Sequence, residues 1–303
     1  HAALLVHDRQ RVDGASGGGC LLAFGSHEAM LDRVCGASRL GTGASRCHGG
    51  AMADDASSTP DDRPLAPGGS DAVGAGGEGR PVVGTAAGTA YLVHPDAGPG
   101  PGVLVLSSWR GLNASTKATA DALADAGFTA LAPDLFGAVP ADDAAGQLLL
   151  AEQDPNAAAA IVLSSVVALR AHSSNPDAPV GVVGFSSGGS WGLWVATRNP
   201  DSVGAVVTYY GEQKIDFSSL AAPVLGHFAE FDDLCTVDDR VEMQAHLLLL
   251  EKAVDVHEYP GTWHFFAEDD EPSEVAAEAA ELAWERTVEF LRAHVGATAD
   301  EVE

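Results

Sequence analysis

The chain has 303 residues, 46% of them hydrophobic and 19% charged, with a formal net charge of −27. That is enough for one large α/β domain or two small ones, and the charge argues against nucleic acid and anionic membranes as partners, since both are bound through basic patches. The longest aliphatic runs fall far short of the roughly 20 residues that span a bilayer. Cys20, Cys35 and Cys47 lie near the start and Cys235 stands apart. They form no C-x-x-C pair, so neither a disulfide scaffold nor a zinc site is expected, and a reducing cytoplasm is the expected compartment.

Composition changes near Met52. Residues 1–51 set five arginines against four acids, whereas the rest sets 11 basic residues against 39 acidic ones. Residues 53–80 are mostly Ala, Gly, Ser, Asp and Pro, which bury too little apolar surface to offset their ordering entropy. Residues 1–80 are therefore expected to be disordered or a non-native extension, with Met52 a candidate initiator. One domain is expected over 81–296, followed by an acidic tail at 297–303.

Within that domain, Val82–Val83 and Thr89–Val93 read as a hairpin. Val103–Leu106 is a short apolar run that fits a buried parallel strand. A helix is predicted over 114–126, with Asn113 as N-cap. Phe128–Ala132 reads as a second buried strand, stopped by Pro133. An Ala-rich helix follows over 155–171, with Pro155 in its first turn. Val180–Gly184 is the next strand and Ser187–Thr197 the next helix. Gly204–Tyr209 and Pro223–Phe228 are further strands. A helix over about 237–251, a strand at Val254–Tyr259 and an amphipathic helix over 274–294 complete the pattern. Alternating strands and helices predict an α/β, doubly wound, mainly parallel sheet with helices on both faces.

The sharpest local signal is Gly184-Phe185-Ser186-Ser187-Gly188-Gly189. It fits G-x-S-x-G, a strand-to-helix turn so tight that the serine adopts strained backbone angles. Gly14-Ala15-Ser16-Gly17-Gly18 matches too, but it lacks the flanking strand and helix. A serine nucleophile needs a base oriented by an acid, and in this arrangement both follow on later loops. Of the eleven histidines, only His264 sits on a glycine-containing loop beyond the last strand. His227 and His257 lie within strands and read as core residues. The acid follows the strand ending at Phe228, where Asp232 is favoured over Asp233, with Glu230 third. The oxyanion donors are expected to be the N–H groups of Ser187 and of Trp109, the latter on the loop after Val103–Leu106. No metal or organic cofactor is implied.

With those residues placed, the chain from about 82 to 295 resembles the dienelactone hydrolase family, of α/β-hydrolase fold. The likeness runs through Pro101–Leu106 and Trp109–Asn113, Ala130–Gly137, the Gly184–Gly189 elbow, Val207–Gly211, Gly226–Asp232 and Tyr259–His264. It implies triad roles for Ser186, Asp232 and His264. This chain carries Ser186 where the family's name-giving enzymes carry cysteine, and Ser108 where they place an oxyanion-loop glutamate. A serine activated directly by His264 has no use for a carboxylate that manages a thiolate. The expectation is therefore cleavage of a small ester or lactone, in the manner of a carboxymethylenebutenolidase. Arg110 is a candidate carboxylate binder, against the blander reading of an exposed loop arginine. Tyr209 or Tyr210 is a candidate pocket residue, with packing on the sheet an equally good reading. A thioesterase or acyltransferase would use the same triad, and a non-catalytic binding protein on the scaffold is the rival from another class.

Overall fold

The computed structural model describes residues 82–85, 88–268 and 272–295. The expectations for 1–80 and 297–303, and the second G-x-S-x-G match, lie outside these residues. Eight strands form one sheet: β1 Val82–Thr85, β2 Gly88–Val93, β3 Gly102–Leu106, β4 Thr129–Pro133, β5 Val180–Phe185, β6 Val203–Tyr209, β7 Val224–Phe231 and β8 Val254–Trp263. Their order across the sheet is β1-β2-β4-β3-β5-β6-β7-β8. β2 runs antiparallel to both β1 and β4, while the pairings from β4 through β8 are parallel. This is the α/β-hydrolase fold.

Every residue of β3, β4 and β5 is buried, as expected of parallel strands covered on both faces. Six helices are described: α1 Ala114–Asp125, α2 Asp143–Glu152, α3 Pro155–His172, α4 Ser187–Arg198, α5 Val237–Leu249 and α6 Glu274–His294. Leu169 of α3, Leu193 of α4 and Met243 of α5 pack with Leu104 and Val182 on one side of the sheet. Leu123 of α1 and Leu291 of α6 pack with Val103 and Val183 on the other.

Local chemistry sets the helix starts. Asn113 caps α1 by accepting from Thr116 N–H at 2.9 Å, and Asp154 caps α3 just ahead of Pro155. From β3 the chain moves outward to β4 and then returns to the other flank of β3 as β5. That reversal is a topological switch point, where open α/β sheets form their crevice. The loop after β3 and the turn after β5 meet there.

The structure departs from the predicted elements in two places. Helix α2 was not anticipated. Its three leucines, Leu148, Leu149 and Leu150, are consecutive and not at helical spacing, and Gly146 is its one fully buried residue. Strands β7 and β8 also run past their predicted ends at Phe228 and Tyr259, and the extension pairs Phe231 with Trp263.

Candidate active site

Ser186 sits at the turn from β5 into α4 with φ 50° and ψ −118°, a backbone state that L-residues rarely adopt. The glycines around it make the turn possible. A Cβ on Gly184 would lie 2.3 Å from the Gly188 carbonyl oxygen, and one on Gly188 would lie 2.2 Å from that of Leu106. The Ser186 N–H is anchored on the Tyr209 carbonyl at 2.9 Å. Strain held in this way by the surrounding sheet is characteristic of a functional turn.

Ser186 Oγ lies 2.9 Å from His264 Nε2, and His264 Nδ1 lies 2.7 Å from Asp232 Oδ2. The other Asp232 oxygen accepts from the N–H groups of Leu234 at 2.9 Å and Cys235 at 2.8 Å. The extension of β7 and β8 delivers these partners, because Asp232 and His264 directly follow the paired Phe231 and Trp263. Asp233 is exposed, and Glu230 is engaged with the Gly261 N–H at 2.7 Å. The imidazole is enclosed by Tyr210, Phe265 and Trp109, at centroid distances of 4.7, 4.3 and 6.4 Å.

Ser187 is the first residue of α4, so its N–H has no acceptor within the helix. On the facing loop, Arg110 N–H donates to Ser108 Oγ and Gly111 N–H donates to the Ser108 carbonyl. Trp109 N–H takes part in neither bond.

The predicted pocket residues divide. Arg110 donates from Nε and Nη2 to the two oxygens of Asp143, at 2.9 and 3.2 Å, and its guanidinium lies 4.0 Å over the Phe265 ring. The arginine holds the Asp143 carboxyl below its ordinary value, working against the desolvation that would raise it. It is thus a paired cation beside the site, not a free loop arginine. Tyr209 is buried and its hydroxyl is committed to Thr287 at 2.7 Å, away from the Ser186–His264–Asp232 line. Tyr210, with φ 41°, lies against His264.

Among the described residues no group of His, Cys, Asp and Glu is placed to hold a metal ion, and no helix is long and apolar enough to cross a membrane. His227 is a core histidine, as its strand position suggested. It lies 2.8 Å from the Tyr259 hydroxyl and 3.1 Å from that of Thr287.

The family model for dienelactone hydrolases matches residues 89–295. The chain belongs to the dienelactone hydrolase family. Among its relatives, Protein usf of Aquifex pyrophilus is 31% identical over 215 residues, covering 68% of this chain and 93% of that protein. The carboxymethylenebutenolidase of Rhodococcus opacus is 26% identical over 219 residues, covering 66% and 84%. A crystal structure of a dienelactone hydrolase-like promiscuous phosphotriesterase from metagenomic libraries superposes with a TM-score of 0.63 at 21% identity, covering 71% of this chain and 98% of that one. That likeness concerns the fold.

One feature of this dienelactone hydrolase family member escaped the sequence. The loop after β3 carries Ser108 and has no carboxylate of its own. Glu268 supplies one from the histidine loop, accepting from Ser108 Oγ at 2.8 Å and from the Tyr210 hydroxyl at 2.9 Å. Burial pushes its carboxyl up from the ordinary value, and the two hydroxyl donors oppose that rise. The local signal is the first acid of the run Glu268-Asp269-Asp270-Glu271 after Phe265-Phe266-Ala267, and such a run reads equally well as a solvated stretch.

Proposed function

We propose that this family member hydrolyses small carboxylic esters or lactones with Ser186 as nucleophile, His264 as base and Asp232 as the acid that orients it. The observation that carries the reading is the continuous hydrogen-bonded line from Ser186 Oγ through the imidazole to Asp232, built on a strained elbow.

His264 Nε2 takes the Ser186 proton as Oγ attacks the carbonyl carbon. The negative charge that develops on the carbonyl oxygen is met by the N–H groups of Trp109 and Ser187, each such donor being worth about 100- to 1000-fold in rate. Asp232 keeps the Nδ1–H tautomer aimed and steadies the imidazolium. The proton then passes from His264 to the leaving alkoxide, which departs as an alcohol; for a lactone it stays tethered to the acyl group. Water, deprotonated by His264, releases the carboxylic acid and restores the Ser186 hydroxyl. No cofactor takes part in these steps.

The test is covalent trapping. A fluorophosphonate added to the full chain, followed by peptide mapping, is expected to place the phosphonyl group on Ser186. A folded protein that remains unlabelled there contradicts the reading.

A further inference from the structure

Glu268 takes no part in the chemistry above, yet it is buried where the segments that carry that chemistry meet. Only 6% of its surface is exposed. One carboxyl oxygen accepts from Ser108 and the other from Tyr210. Its own N–H donates to the Phe265 carbonyl at 2.7 Å, and its carbonyl accepts from Arg110 Nη1 at 3.3 Å. Three segments are joined in this way: the loop after β3, the turn after β6, and the histidine loop itself.

Space filling does not account for such a group. An apolar side chain of similar volume would occupy the position without the cost of desolvating a carboxyl. What the carboxyl adds is the fixed placement of two hydroxyls. Ser108 Oγ, held by Glu268, accepts in turn from the Arg110 N–H at 3.3 Å, so the loop is pinned on both sides of Trp109. The Tyr210 hydroxyl is pinned by the other oxygen while its ring packs 4.7 Å from the imidazole. Tyr210 also carries a positive φ of 41°, a state that persists only when its surroundings over-determine it.

We propose that Glu268 is a positioning residue that locks the oxyanion loop and Tyr210 against the histidine loop, keeping Trp109 N–H and His264 aligned on Ser186. It acts through Ser108 and Tyr210 and touches no reacting atom. This inference rests on the assignment of Ser186 as nucleophile.

The experiment measures the rate of Ser186 phosphonylation by a fluorophosphonate in the full chain, together with thermal melting. The proteins compared are the parent, Glu268→Ala, Glu268→Gln, Ser108→Ala and the Glu268→Ala/Ser108→Ala pair. Loss of alignment in Glu268→Ala is expected to lower the maximal labelling rate roughly 100-fold, the scale of a misplacement of about 1 Å. The concentration giving half-maximal rate should change little. Gln retains an acceptor for one hydroxyl and donates to the other, so Glu268→Gln should recover most of the rate. The double variant should cost less than the two single losses combined, because both break one linkage.

A Glu268→Ala protein that melts lower but labels at the parent's rate overturns the proposal, since the residue is then a structural filler. Equal slowing in Ala and Gln also overturns it, because hydrogen-bonded placement is then not what matters. Should Glu268→Ala fail to fold, Ser108→Ala decides: slow labelling beside a near-parental Glu268→Gln supports the proposal, and parental labelling overturns it. A folded parent that is never labelled on Ser186 overturns the nucleophile assignment itself, and this inference with it.

Discussion

Gly188 and Leu106 approach so closely that a Cβ on the glycine would lie 2.2 Å from the leucine's carbonyl oxygen. The contact locks the Ser186 turn against the end of β3, where the loop carrying Trp109 begins. Gly188→Ala must therefore shift backbone, not a flexible side chain. Overpacking of this kind costs typically about 1–3 kcal/mol, and the displaced Ser186 should lose at least about 100-fold in ester turnover. Chemical denaturation and steady-state kinetics on the variant check both effects. Parental activity in Gly188→Ala would show that the turn does not need this close approach.

Asp232 and Asp233 are neighbours in sequence, but only Asp232 reaches the imidazole. Asp232→Asn is expected to lower kcat roughly 10⁴-fold by presenting the wrong tautomer. Asp233→Asn, at an exposed position, should stay near the parent. A reversed ranking in the same assay would move the acid role to Asp233.

Much of this site was legible because its residues carry local signals. The apolar runs of β3, β4 and β5 are buried on both faces of the sheet, so periodicity and burial agree. The elbow announces itself through glycines whose spacing has a steric cause. Other parts depend on contacts between distant segments. Pro260 and Gly261 read as the end of a strand, yet β8 continues to Trp263 because it pairs with the extended β7. Helix α2 gathers its leucines at Leu148, Leu149 and Leu150, in a run that carries no helical period. Ser108 and Glu268 lie 160 positions apart, and no local pattern announces that an acid will be buried against a serine hydroxyl.

The pairing of Arg110 with Asp143 carries a consequence for substrate charge. A substrate carboxylate would meet a guanidinium that already has an acidic partner. An ester with an uncharged acyl chain should be preferred over one ending in a carboxylate by roughly tenfold or more in kcat/KM, equivalent to about 1.4 kcal/mol. p-Nitrophenyl butyrate against mono-p-nitrophenyl succinate makes the comparison, and Asp143→Asn should narrow the gap. Preference for the succinate in the parent would restore Arg110 as a carboxylate binder.

His227 sets an acid limit on stability. Desolvation, followed by the nearby charges of His257 and Arg286, lowers its pKa from 6.5 to about 3. Between those values the unfolded chain binds a proton that the folded one does not. Stability therefore rises with pH through this window and is lost as pH falls from 6.5 towards 3, by roughly 1.4 kcal/mol per pH unit inside it. His227→Gln should flatten that slope relative to the parent in denaturation curves taken across the window. Identical slopes in the two proteins would show that His227 is not the group responsible.

The most direct test of the central claim is hydrolysis of a short-chain p-nitrophenyl ester by the full chain beside Ser186→Ala, with both proteins shown to be folded. The account predicts turnover in the parent and a loss of at least about 10³-fold in the variant, leaving only what the oxyanion hole and binding supply. A folded Ser186→Ala protein that turns over the ester at the parent's rate would contradict it, and the nucleophile would have to be sought elsewhere in the chain.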